Sequence, residues 1–271
     1  MSGTGGTRPA EARRAMAFRG AGFAPVSYPL VSVLVLILVI VVWEIACRWR
    51  WVSPVFLPSP SAIAQALADL AVSGQLWGHI AASLKRILAG WAIGTVAGLG
   101  FGLMIGMFSL ARSAGVPIIS ALFPIPKIAL LPLFILWFGI GEPSKVATIA
   151  LGVFFPTAIS AYAGVDNVPR NLIRMAQSFG VPAAAIVLKI VLPGALPGIL
   201  AGFRITASIA LILVVAAEMI GADQGIGAFI LTAGNLMQSD QLLAGVVLLS
   251  ALGLVIGTGL GRLERWLLAW R

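Results

Sequence analysis

The chain has 271 residues, of which 60% are hydrophobic and only 10% charged, with a formal net charge of +9. A soluble domain carries about 25% charged residues, so this composition excludes an ordinary soluble enzyme, and its apolarity excludes a disordered chain. What remains is an all-α polytopic membrane protein, long enough for six spans of roughly 20 residues each and for no second folded domain.

In chain order, residues 1–26 read as a flexible cytoplasmic tail, with Arg8, Arg13, Arg14 and Arg19 against Glu11. Residues 27–271 read as one transmembrane domain. Its first span, 27–47, lies largely within the charge-free window Gly20–Trp43. That window is too long for a signal-peptide core of about 7–15 residues, so it reads as an anchor. The single cysteine, Cys47, excludes an internal disulfide and reads as a buried thiol at a helix end. Trp51–Ala68 is also uncharged, but Pro54, Pro58 and Pro60 remove backbone donors that lipid cannot replace, which makes it a loop. A short surface helix is expected from about Ser61, capped by Ser59 or Ser61.

Five further spans follow, at 83–107, 113–139, 146–165, 198–220 and 241–261. They rest on the uncharged windows Ile87–Ala111, Val146–Val165 and Gln241–Gly261, and on two windows with one basic residue each, Lys127 and Arg204. With the N-terminus inside, eleven Lys/Arg fall in inner segments (Arg8, Arg13, Arg14, Arg19, Arg112, Arg170, Arg174, Lys189, Arg262, Arg265, Arg271). Five fall outside (Arg48, Arg50, Lys85, Arg86, Lys145). The positive-inside rule then places both termini in the cytoplasm.

The second span carries Gly90, Gly94, Gly98, Gly102 and Gly106, one every four residues. That spacing puts them on one helix face, a seam for close helix packing. The last span repeats the device with Gly253, Gly257 and Gly261. In the third span Pro124 and Pro126 flank Lys127. Prolines and a lone ammonium at that depth fit a broken helix lining a transport path. Glu218, near the outer end of the fifth span, is a second path candidate and could pair with a basic residue. Arg204 reads as a snorkelling side chain.

No lysine follows a glycine anywhere, so the chain has no phosphate-binding P-loop of its own. His79 is the only histidine, which excludes histidine metal clusters and a Ser–His–Asp triad. No catalytic constellation, metal site or cofactor site is visible, and the scattered basic residues do not form a nucleic-acid stripe.

The most informative stretch is the long loop 166–197. It runs Arg174-Met175-Ala176-Gln177-Ser178-Phe179-Gly180, turns at Gly180-Val181-Pro182, and ends Lys189-Ile190-Val191-Leu192-Pro193. Two short helices separated by that turn are expected. So apolar a segment outside the bilayer calls for a partner surface.

This segment resembles the EAA loop of ABC importer permeases: Glu-Ala-Ala, three residues, Gly, nine residues, Ile-x-Leu-Pro. Ala176, Gly180, Ile190, Leu192 and Pro193 stand in register, while Arg174 and Met175 occupy the positions of the family's Glu and first Ala. Phe56-Leu57-Pro58-Ser59-Pro60-Ser61, Trp137-Phe138-Gly139-Ile140-Gly141 and Ala217-Glu218-Met219-Ile220 are similar to stretches of the nitrate, sulfonate and taurine permeases. The resemblance implies a bacterial inner-membrane permease of type I fold that forms a dimer with a second copy of itself. It also implies two cytoplasmic ATPase subunits that hold ATP and Mg²⁺, an extracytoplasmic solute-binding protein, and a small, anionic cargo. The rival expectation is a stand-alone secondary transporter or channel, which would leave the apolar loop unexplained.

Overall fold

The computed structural model describes residues 29–270, and all regular structure among them is helical. The expected tail at 1–26, the first two residues of the first span, and Arg271 lie outside the described residues. Five helices are long and apolar enough to cross a membrane, six when a bent pair is counted as one broken span.

Helix α1 (Pro29–Arg48) is uncharged for most of its length and leaves nearly all of its apolar side chains exposed. Cys47 is buried at its end, as read from the sequence. The proline-rich stretch is a loop. Helix α2 (Pro60–Val72) starts one residue before Ser61, and Ser59 is its cap, accepting a hydrogen bond from the Ala62 N–H at 3.2 Å. Glu44 of α1 accepts from the Ser61 hydroxyl at 2.8 Å and the Ser61 N–H at 3.1 Å, which ties the two helices together.

The body is a three-helix layer of α3 (Gln75–Met107), α6 (Glu142–Asp166) and α9 (Leu192–Gly221). The glycine stripe of α3 lies against α6. A Cβ on Gly90 would stand 2.6 Å from Ile149, one on Gly98 2.5 Å from the Phe154 carbonyl, and one on Gly102 2.7 Å from Ala161. No real Cβ tolerates such contacts, so only glycine lets the backbones approach this closely. A second seam joins α6 to α9, where Gly198 packs on the Gly164 backbone and Gly202 on Ser160.

Within this chain the last span makes no such seam. In α11 (Ser239–Leu267) a Cβ on Gly253 would meet Leu211 at 3.3 Å, Gly257 faces open space, and Gly261 faces the Arg204 guanidinium. Glycine spacing marks a smooth face, but a seam needs an opposing helix, and α11 leans away from α9.

The third span is broken. Helix α4 (Ser109–Leu122) and the segment Lys127–Phe138, a 3₁₀ turn running into α5 (Leu131–Phe138), meet at 87°. Pro124 and Pro126 cannot donate to the helical ladder, and the ladder stops there.

Beyond α6 come α7 (Arg170–Ser178) and the short α8 (Ala183–Ile186). The second of the two expected short helices is not separate. A π-helical stretch, Val187–Val191, carries α8 directly into α9. This wider turn adjoins Leu192-Pro193, where the proline ring and missing N–H disfavour a regular α-helical continuation. A last short apolar helix, α10 (Ile226–Asn235), precedes α11, where the sequence reading has only a loop.

Candidate functional site

The two ends of the helical layer carry different chemistry. At one end, α7 presents Arg174, Met175 and Leu172 to solvent, and Phe179, 80% exposed, follows it. On its other face Ala176 is buried with Ile186 and Val191, and Val181, Ile173 and Ile190 pack against them. The segment therefore has an anchored side and an open side, on which Leu172, Met175 and Phe179 stand among Arg170, Arg174 and Gln177.

Its hinge is set by local rules. The Val181 N–H donates to the Ala176 carbonyl at 3.1 Å and the Gly180 N–H to the Gln177 carbonyl at 3.0 Å. This pair of bonds is a Schellman cap, which needs a left-handed residue at the Gly180 position. Gly180 has φ +71°, and nothing lies within 4 Å of where its Cβ would be. Glycine is required there by backbone conformation, not by lack of room.

Of the seven residues singled out in this segment, Arg174, Met175 and Gly180 face outward. Ala176 is buried, and Ile190, Leu192 and Pro193 are half-buried where the segment joins the body. Beside it, Arg112 at the start of α4 forms a two-pronged ion pair with Asp166 at the end of α6, both contacts at 2.6 Å.

At the opposite end lies a charge network built on the buried pair Arg86 and Glu218, with the Glu142 side chain 61% exposed at its edge. Glu218, 1% exposed, accepts from Arg86 Nη1 at 2.7 Å, the Ser83 hydroxyl at 2.8 Å and the Gly227 N–H at 2.8 Å. Arg86, 4% exposed, also donates to Glu142 Oε2 at 2.7 Å through Nε, to Glu142 Oε1 at 2.5 Å through Nη2, and to the Gln224 carbonyl at 2.6 Å. One guanidinium thus joins α3, α6, α9 and the turn before α10. That turn is shaped around the carboxylate: a Cβ on Gly225 (φ +139°) would stand 2.5 Å from both Glu218 oxygens. The Gly225 N–H donates to His79 Nδ1 at 3.1 Å. Lys145, also buried, donates to the Ile140 and Gly141 carbonyls. An open cavity of about 1060 Å³ lies over this network, lined by Lys85, Arg86, Glu142, Lys145 and Asp223 among others.

Glu218 therefore takes the basic partner that its sequence position allowed. Sequence reading missed Arg86, Ser83 and Glu142. The one available signal was a basic pair, Lys85-Arg86, at the edge of a span.

Lys127 sits at the break in the third crossing. Its ammonium donates to the carbonyls of Leu122, Phe123 and Ile125 at 2.8, 2.9 and 2.7 Å, and lies 4.8 Å from the centroid of the Phe155 ring. All three protons are committed to main-chain carbonyls at the break. Arg204 pairs with Glu264 of α11, so it does more than snorkel. Among the described residues no group of His, Cys, Asp and Glu is placed to hold a metal ion.

Comparisons with known proteins agree with this architecture. Residues 94–269 match the family described as "binding-protein-dependent transport system inner membrane component". The chain is 37% identical over 244 residues to the taurine transport system permease protein TauC of Escherichia coli (strain K12), covering 88% of this chain and 89% of that protein. It is 36% identical to the putative aliphatic sulfonates transport permease protein SsuC of the same organism, over 86% of this chain and 88% of that protein. The SsuC of Bacillus subtilis (strain 168) is 34% identical, over 86% of this chain and 84% of that protein. Among solved structures, the fold is similar to a chain of the inward-facing MetNI methionine ABC transporter, with a TM-score of 0.61 at 24% identity over 71% of this chain and 95% of that one.

Proposed function

The chain belongs to the binding-protein-dependent transport system inner membrane components and is the membrane-spanning permease subunit of an ATP-driven ABC importer, and from that premise we propose how it works and what it carries. Its cargo is a small solute with a sulfonate group, such as an alkanesulfonate anion or the zwitterion taurine. The full-length similarity to taurine and sulfonate permeases supports this choice.

ATP is hydrolysed by a separate cytoplasmic ATPase subunit that also holds Mg²⁺, and this chain does no catalysis. Two copies of the chain, both termini inside, pair with two ATPases, and an extracytoplasmic binding protein delivers the solute. The observation that carries the mechanism is α7: a lever whose exposed face sets Leu172, Met175 and the following Phe179 among Arg170, Arg174 and Gln177, hinged at Gly180 and anchored through Ala176 and Ile190 on a stiff helical layer. Closure of the ATPases pushes Met175, Phe179 and Arg174. The anchored face passes the displacement to α6 and α9, whose glycine seam lets them move as one body.

In the path, Pro124 and Pro126 form the bend and Lys127 braces it by bonding the carbonyls of Leu122, Phe123 and Ile125. Glu218 braces the outer wall from behind. Lys127 has no free N–H for an anion in this state, so selection rests chiefly with the binding protein.

The test uses the permease reconstituted in proteoliposomes with its ATPase and binding protein. Gly180→Leu should leave assembly intact and cut labelled taurine uptake about tenfold or more while ATP hydrolysis persists. Uptake at the wild-type level would reject the lever. Uptake of a neutral amino acid in preference to taurine would reject the cargo.

A further inference from the structure

A second basic site lies between α9 and α11, away from the lever and from the outer network. A cavity of about 570 Å³ is lined by Arg204, Arg262, Arg265, Glu264, Thr258 and Gly261, with Leu268 at its edge. Three guanidiniums face one carboxylate, so the pocket carries an uncompensated positive charge. Arg204 is paired with Glu264, and the Arg265 Nε donates to the Gly261 carbonyl at 3.3 Å. Among the described residues the Arg262 guanidinium has no hydrogen-bond partner.

The shape of the pocket follows from the glycines of α11. The helix touches α9 at Gly253, where a Cβ would meet Leu211 at 3.3 Å; at Gly257 it stands free; and at Gly261 the Arg204 guanidinium fills the gap. The two helices diverge toward this end and leave a wedge, apolar above and cationic below. Leu254 and Val255 are exposed on the adjacent surface of α11.

Two features place the wedge at a membrane–water boundary. Trp266 and Trp270, one turn apart at the end of α11, are 73% and 62% exposed, as in an interfacial aromatic belt. Arg204 also lies about 21 Å along α9 from Glu218, and its side chain leans toward the helix N-terminus, toward the interface. Only the identity of the cytoplasmic end is taken from the proposed function.

The geometry points to a site for the phosphate of an anionic phospholipid of the inner leaflet, with the headgroup held by Arg262, Arg265 and Arg204 and an acyl chain along the open face of α11. Planar guanidiniums suit a phosphate diester. Basic pockets between spans on the cytoplasmic side recognise such headgroups. A bound lipid would fill the gap between α9 and α11 and hold the last span against the moving body.

The test is native mass spectrometry of the full-length permease, purified with its ATPase and stripped of lipid, then titrated with dioleoyl phosphatidylglycerol or dioleoyl phosphatidylcholine. Wild type should retain the anionic lipid about tenfold more strongly. The double variant Arg262→Gln/Arg265→Gln should lose that preference. Glu264→Gln, which removes the competing carboxylate and adds no bulk, should strengthen it several-fold; this second variant keeps the test decisive if the first does not assemble. Equal retention of both lipids by wild type would overturn the site, as would an unchanged preference in the double variant or a Glu264→Gln protein no tighter than wild type. Displacement of the lipid by millimolar inorganic phosphate would assign the pocket to a soluble anion and overturn the lipid reading. If lipid preference is absent and the double variant instead loses its ATPase, the pocket belongs to that protein contact. None of these failures touches the Gly180 test of the lever.

Discussion

The two ends of the helical layer are opposites in how they treat polarity. At the end that holds the ion network Arg86 and Glu218 are buried, and Arg86 alone satisfies two carboxylates, Glu218 and the largely exposed Glu142, and a carbonyl on three further elements. At the lever end apolar groups are exposed, with Met175 and Phe179 facing solvent beside Arg174. A buried, fully paired charge cluster is costly to disturb and fixes one arrangement of helices. An exposed apolar face is stable only when something covers it. The difference teaches that the network end is built to stay together within one subunit, and it supports the proposed seating of a partner subunit on α7.

That contrast can be broken hardest at Arg86. Arg86→Ala leaves Glu218 charged, enclosed and unpaired, and should cost about 3–5 kcal/mol. A large fall in thermal unfolding temperature in detergent would register it; a small change would mean the network contributes little. The companion variant Glu218→Gln keeps shape and hydrogen-bonding atoms and should cost clearly less in the same assay.

The stiff body comes next. Gly98→Val pushes a branched side chain into the Phe154 carbonyl and Thr157. It should cost about 1–3 kcal/mol by overpacking, read as the same shift in unfolding temperature. Gly100→Val, with nothing within 4 Å of its Cβ, is the control and should change unfolding far less.

At the hinge, Gly180→Leu forces a left-handed conformation on a branched residue, worth about 1–2 kcal/mol of local strain, so the fold should persist while coupling fails. Gly180→Asn, which tolerates that conformation better, should retain much of the uptake that Gly180→Leu loses. The smallest expected stability effect is at Arg174. Arg174→Glu on an exposed face should move stability by no more than about 0.5 kcal/mol, and its effect should appear as altered ATPase affinity in a pull-down titration.

Much of this was legible in the sequence because it is local. Uncharged windows mark the spans, Pro124 and Pro126 mark the break, and Gly180 between Phe179 and Val181-Pro182 marks the hinge. The α3 seam was legible from its period of four. The same period at Gly194, Gly198 and Gly202 went unread, although Gly198 and Gly202 make the α9 seam, while the period in α11 suggested a seam that α11 does not make. Periodicity reports which residues share a face, not which helix lies opposite.

The Arg86–Glu218 network was beyond reach for the same reason. Arg86 and Glu218 are 132 residues apart, and Arg86 and Glu142 56 apart. No spacing rule links residues on different helices, so a basic pair at a span edge read only as a topology signal. Helix α10 was also missed: its ten residues are too few to span and follow the span-like run of α9 directly.

The central claim is that the open face of α7 seats the ATPase. Cys47 is the sole cysteine, so Cys47→Ala carrying Phe179→Cys offers one reactive thiol at the lever. A short bifunctional cross-linker applied to the assembled transporter should join this position to the ATPase subunit, with a yield that changes between nucleotide-free and ATP-bound states. Absence of that product, while a thiol placed at Arg262 does cross-link to the ATPase, would contradict the account.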